Sequence, residues 1–310
     1  MDMDEINIAI DAANALSAAG NHDGAASRIK DILREAPDDA HALGTLGAIN
    51  IRRGHADEAV SAAEAAVASA PDWEFAHRTL ALAYQLKGKP ELAEKHFKAA
   101  IELYPDGEYN HYAYGAFLMN RNRRKEARAY LDEALSLAPD EPSILATCAE
   151  LATIEGRLDE ASRFADDAMH LAPDNTSALV AKGTVALRQG RVQEAMDHAL
   201  WALRHDASNV AAINLLCQIK SRKNPIMGLW WRWAMWIQRF AGWKAWAVVL
   251  LIYFTFQLFR ATLLAMFPAI VQSLVVAAAV GFAILTWIAP AIFRHMVGRE
   301  LKKVSLRPDF

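Results

Sequence analysis

The chain has 310 residues, 54% of them hydrophobic, two cysteines and a formal net charge of −3. That small charge conceals a division, because residues 1–220 carry 22 Lys/Arg against 34 Asp/Glu whereas residues 221–310 carry 11 against 2. An acidic arm joined to a basic, apolar tail argues against nucleic acid as a partner of the arm, and Cys148 and Cys217 are too few for a disulfide framework or a zinc cluster.

The first stretch, Met1 to Gly20, has acid where a secretory signal needs Lys or Arg, and it lacks a continuous apolar core. The arm is therefore expected to stay in the cytoplasm, with both cysteines as buried thiols. From its start, three ladders run at a spacing of 34 residues: Pro-Asp at Pro37, Pro71, Pro105, Pro139 and Pro173; a turn residue at Gly20, Gly54, Gly88, Asn122, Gly156 and Gly190; and alanine at Ala25, Ala59, Ala93, Ala127, Ala161 and Ala195. Between these marks, apolar residues recur at helical spacing, so each repeat divides into a helix A and a helix B of about a dozen residues. Gly or Asn after helix A tolerates the left-handed conformation of a helix end. Pro stops helix B, and the Asp after it suits the positive end of the next helix. The alanines mark close crossings of two helices.

Aligned on the proline, the repeats are residues 6–39, 40–73, 74–107, 108–141, 142–175 and 176–209. Leu80, Ala81, Tyr84, Ala93, Phe97, Ala100 and Pro105 make the third repeat the one that resembles the tetratricopeptide repeat (TPR) pattern best. Leu46, Gly47 and Ala59 of the second and Tyr114, Gly115 and Ala127 of the fourth are similar to it. The outer repeats depart from it, with Ala12 and Ala13 where Leu-Gly is usual and Lys182 at a normally apolar position. Val210 to Lys220 keeps helical apolar spacing and reads as a capping helix. The fold class is thus all-α: a TPR α-solenoid of about six helix-turn-helix repeats plus a capping helix over residues 1–220.

The resemblance also implies a groove lined by the second, fifth, ninth and twelfth residues of each helix A. Those positions are His41, Gly44, Ala48 and Ile51; Phe75, Arg78, Leu82 and Gln85; Tyr109, Tyr112, Ala116 and Met119; and Ser143, Ala146, Glu150 and Thr153. Chaperone-binding members hold a terminal carboxylate with lysines and asparagines in the groove. Here Arg78 is the only cation at the corresponding place, and Leu82 stands where asparagine is wanted. Phe75, Tyr109 and Tyr112 suit an apolar peptide anchor, or else packing between successive A helices.

After Pro225 the character changes. Gly228 to Trp246 holds six of the nine tryptophans with three basic residues among them. Trp230, Trp231, Arg232, Trp233, Trp236, Arg239, Trp243, Lys244 and Trp246 read as a membrane interface over residues 221–244, where amphipathic rings and snorkelling cations are both satisfied. A Trp-rich helix packed on the array is the alternative. Residues 245–259 are uncharged, Arg260 interrupts, and 261–293 run without a charge. Since a span needs about 20 apolar residues, 245–293 is expected to form two transmembrane helices with Arg260 anchored at the far interface; an intramembrane functional charge is the other reading of Arg260. Basic residues flank both ends, so the array and the tail, residues 294–310, are expected to face the cytoplasm. A bacterial inner membrane is the expected setting.

No HExxH, GxSxG, phosphate loop or dinucleotide motif occurs. No enzyme activity, cofactor or metal is expected. His77 and His111 occupy equivalent helix A positions and either face one another or serve simply as packing or rim histidines, the latter being the expected reading. Arg121, Arg123, Arg124, Lys125 and Arg128 form a basic edge, either simply solvated or able to meet an acidic segment or anionic lipid. The chain thus reads as a membrane-anchored scaffold whose groove recruits a protein, or as an accessory subunit held by its hairpin with the array as a docking arm. Its expected partners are a protein and the lipid bilayer.

Overall fold

The computed structural model describes residues 3–206 and 209–223, together with positions 268, 270–273 and 275. The chain divides into two compact units, Met1–Glu155 and Gly156–Phe310. In the first unit lie α1 (Met3–Ala18), α2 (His22–Glu35), α3 (Ala40–Arg52), α4 (Ala56–Ser69), α5 (Glu74–Leu86), α6 (Pro90–Leu103), α7 (Glu108–Asn120), α8 (Arg124–Leu137) and α9 (Pro142–Ile154). In the second, α10 (Leu158–Leu171), α11 (Thr176–Arg188), α12 (Val192–His205) and α13 (Val210–Lys223) are described.

The ladders set these boundaries. The turn residue after each helix A has positive φ, from 73° to 83° at the five glycines and 60° at Asn122, the single non-glycine in that region among the described residues. Helix B ends at the residue before proline, where φ is −128° at Ala36 and near −140° at Ala70, Tyr104 and Ala138, because proline bars the helical conformation of its predecessor. Asp39 then accepts the Ala42 N–H at 2.7 Å, and Asn175 accepts those of Ser177 and Ala178, closing the open amides of α3 and α11. All six ladder alanines are fully buried.

Within the first unit α1, α3, α5 and α7 each pack on their own B helix and on the next A helix, so α1, α3, α5, α7 and α9 form one continuous row. The B helices make no comparably extensive contacts with one another. The A helices are thus the more closely packed side of this unit. At the middle of this unit Phe97 is fully buried, its ring centroid 5.2 Å from Phe117 and 5.9 Å from Tyr114. Such burial is worth about 1.5–3 kcal/mol relative to an exposed ring. The Tyr114 hydroxyl remains satisfied, donating to Glu94 Oε1 at 2.9 Å, while Arg123 donates to Glu94 Oε2 at 2.8 Å.

In the second unit α13 packs on both α11 and α12, the placement of a further A helix, and buries Ala212, Leu215, Leu216, Cys217 and Ile219. The expected capping helix is therefore present and runs three residues further, to Lys223. Burial pushes the Cys217 thiol up to about 12. The out-of-pattern Lys182 reaches Asp166 of α10 as an ion pair, which accounts for a cation at an apolar position.

Two groups of residues left with alternative readings are placed. His77 and His111 do not face one another: His77 Nε2 bonds the Pro71 carbonyl at 2.9 Å and its Nδ1 lies 3.1 Å from His96 Nδ1, while His111 Nε2 bonds the Pro105 carbonyl at 2.6 Å. Each ties its helix A back to the proline turn before it. Of the basic edge, Arg123 pairs with Glu94 and Glu126, Arg124 bonds Asn122, and Arg128 pairs with Glu155. No helix among the described residues is long and apolar enough to cross a membrane. The expected interfacial tryptophans and cations, Arg260 and the two spans lie outside the described residues, apart from the isolated positions near Pro268.

Candidate functional site

The A helices of the first unit present their N-terminal turns along one edge of the row, and the aromatic residues collect there. Trp73 occupies the N-cap position of α5, where Asp39 and Glu141 cap the equivalent helices with their side chains. An indole cannot accept that bond, and Trp73 instead lies over Gly44 of α3, where a Cβ would meet the Trp73 ring at 3.0 Å and Phe75 at 3.2 Å. The absent side chain at Gly44 thus makes room for two rings. His41, Trp73 and Phe75 form a run, with centroids 4.4 Å and then 4.9 Å apart. The Arg78 guanidinium carbon continues it, 5.2 Å from the Phe75 centroid.

Arg78 is fixed in turn by α7. It donates to Asn110 Oδ1 at 2.6 Å, and Asn110 Nδ2 donates to the Ala100 and Tyr104 carbonyls at 3.1 and 3.3 Å. Asn110 is 1% exposed, so its amide serves as a buried bracket between the end of α6 and the groove. Burial pushes the Arg78 guanidinium below its usual range, opposed by Glu74, Glu108 and Tyr109. One helix further on, the Tyr109 hydroxyl donates to Glu141 Oε2 at 3.2 Å, and the Tyr112 ring meets the Tyr109 ring edge-on at 6.5 Å. Glu141 also accepts the Ser143 N–H, so one carboxylate caps α9 and holds Tyr109. Burial, then the Glu141 charge, raises the Tyr109 hydroxyl above its ordinary value, keeping it a donor.

The predicted groove positions divide by exposure. His41, Tyr109 and Glu150 are exposed, with Tyr109 at 43%; Phe75, Arg78, Leu82, Gln85, Tyr112 and Met119 are half-buried. Gly44, Ala146 and Thr153 are buried and belong to the packing between helices. Phe75 both packs on its neighbour helix and keeps an open face. The sequence expectation omitted Trp73 and Asn110. The signals were present: Trp73 falls on the capping ladder where Asp39, Glu141 and Asn175 stand, and Asn110 falls where Ala42, Ala76, Ile144 and Ala178 stand. A residue that breaks such a ladder has another task.

No three His, Cys, Asp or Glu side chains among the described residues converge to hold a metal. Rigid aromatic faces, a bracketed arginine and few mobile side chains instead offer contact area at low entropic cost.

Family models described as tetratricopeptide repeat match residues 16–83 and 85–151, and a second such model matches residues 155–210. No curated protein matches the chain. Among solved structures, a thermophilic TPR protein of Thermus thermophilus shares 27% identity at a TM-score of 0.55, over 59% of this chain and 99% of that one. The Cut9–Hcn1 hetero-tetramer of APC/C is similar at 15% identity and a TM-score of 0.58, over 69% of this chain and 42% of that one. PilW, a type IV pilus biogenesis factor, is similar at 17% identity and a TM-score of 0.53, over 70% of this chain and all of that one. The last two likenesses concern the fold alone. With repeat models covering most of residues 16–210 and a row of paired helices punctuated every 34 residues, the chain belongs to the tetratricopeptide repeat family.

Proposed function

We propose that this protein is a non-enzymatic, membrane-anchored scaffold that recruits or assembles a protein complex at the cytoplasmic face of a membrane, receiving a peptide segment of its partner in the groove of the first unit. Repeats of this family act in protein–protein interaction. The observation that carries the groove reading is the open aromatic run from His41 through Trp73 and Phe75 to Arg78, continued by Tyr109 and Tyr112. Support for the anchor comes from the sequence: 33 residues without a charge at 261–293, preceded by tryptophans and cations and followed by further cations. The bacterial inner membrane is the setting we favour.

The test is a mild-detergent capture with the tagged full chain, comparing wild type with the triple variant Phe75→Ala, Tyr109→Ala, Tyr112→Ala. Loss of a specific co-purifying protein in the triple variant supports the groove. Retention of that protein, with loss when residues 245–293 are exchanged for an unrelated hairpin, would instead support an accessory subunit held through its hairpin. A reporter fused after Phe310 reads the topology: activity on the cytoplasmic side agrees with two spans, and activity on the far side overturns them.

A further inference from the structure

The ninth positions of the successive A helices form a row along the groove, and that row reads Ala48, Leu82, Ala116, Glu150. Three uncharged, half-buried residues thus lead to one exposed carboxylate. The Glu150 side chain has no ion pair or hydrogen bond among the described residues. The groove's one arginine does not offset it, since Arg78 lies two A helices away, is bracketed by Asn110 and faces Glu74 and Glu108. The wider field has the same sign: residues 1–155 carry 15 Lys/Arg against 26 Asp/Glu.

Resting on the groove reading above, we infer that the partner segment is an apolar peptide bearing a basic residue, with its apolar side chains along Leu82 and Ala116 and its Lys or Arg seated against Glu150. An unpaired carboxylate at the end of an apolar row, in a unit of strongly negative charge, is complementary to a cation and repels an acidic segment. Successive A helices lie roughly 8–10 Å apart. Neighbouring positions of the row are therefore spanned by about three residues of extended peptide at about 3.3 Å each, or by about six of a helix at 1.5 Å each.

A random 12-residue peptide display library, selected against the full chain in mild detergent, tests this directly. The same selection is run on Glu150→Lys and on the triple variant Phe75→Ala, Tyr109→Ala, Tyr112→Ala. The expected result is a wild-type pool enriched in Lys and Arg beside apolar residues, an inversion to Asp and Glu with Glu150→Lys, and about tenfold weaker binding of the wild-type pool to the isosteric Glu150→Gln. An acidic wild-type pool, or a pool of the same charge on wild type and Glu150→Lys, overturns the inference while leaving the groove standing. If no pool is enriched, or if the pool binds the triple variant equally well, the groove reading itself falls and takes the inference with it.

Discussion

The Arg78 guanidinium of α5 donates to the buried Asn110 amide of α7 at 2.6 Å, and the same amide donates to two carbonyls at the end of α6. Three helices are thereby tied at one side chain, and the only arginine of the groove is held in place before any ligand arrives. Replacing Asn110 with Ala leaves the Ala100 and Tyr104 carbonyls and Arg78 without that partner. The expected cost is roughly 1–3 kcal/mol, read by urea unfolding, whereas Arg78→Gln, which keeps a donor, is expected to cost less.

The ladder alanines define how closely the paired helices approach. Ala127→Leu inserts three carbons at a fully buried position and is expected to destabilise by about 1–3 kcal/mol. Ala129→Leu, exposed on the same helix, is the control and is expected to stay within about 0.5 kcal/mol of wild type. Thermal unfolding of the pair separates a packing cost from any general effect of leucine.

Glu94 gives the folded state an acid-sensitive element. Burial pushes its carboxyl up, but bonds from Arg123, Tyr114 and Lys98 outweigh that and hold it down to about 2, against 4.5 for a free side chain. A carboxylate depressed on folding contributes stability that is full above the unfolded value and is lost as pH falls through the folded one. Stability is therefore expected to fall between about pH 4.5 and pH 2. Glu94→Gln should be less stable at neutral pH and should show a shallower decline across that window, measured by denaturant titrations at stepped pH.

Asn122 is the one non-glycine carried in the left-handed region, at φ 60°, among the described residues. A β-branched side chain is poorly tolerated there, so Asn122→Val is expected to cost about 1–2 kcal/mol. Asn122→Gly relieves the remaining strain and is expected to leave stability unchanged or slightly raised. Differential scanning calorimetry of the two variants gives the sign of each effect.

What could be read in advance follows from repetition. A constraint imposed at the same place in every repeat, such as the left-handed turn after helix A or the small residue at the helix crossing, leaves a ladder that any single departure cannot hide. The helix pairing and the capping helix were legible in that way. Contacts particular to one repeat leave no ladder. Trp73 over Gly44 and Asn110 beneath Arg78 join positions that the other repeats fill with unrelated residues, so their partners follow from backbone placement. Of the two readings of His77 and His111 the structure agrees with the packing one: equal register places them on one face, but their bonds run back along the chain to Pro71 and Pro105 rather than to each other.

The row of A helices has a consequence for how the protein is made. Within each unit, extensive helix contacts join neighbours or next neighbours in the chain, as α3 does with α4 and α5, so no element waits for a distant one before its core can close. At a synthesis rate of about 5–20 residues per second, one 34-residue repeat emerges in roughly 2–7 seconds. Local closure of such helices takes far less than a second. The acidic arm is thus able to fold repeat by repeat on the ribosome, before the apolar residues after Pro225 emerge, with Asn110 and Arg78 already engaged when those residues begin to be exposed.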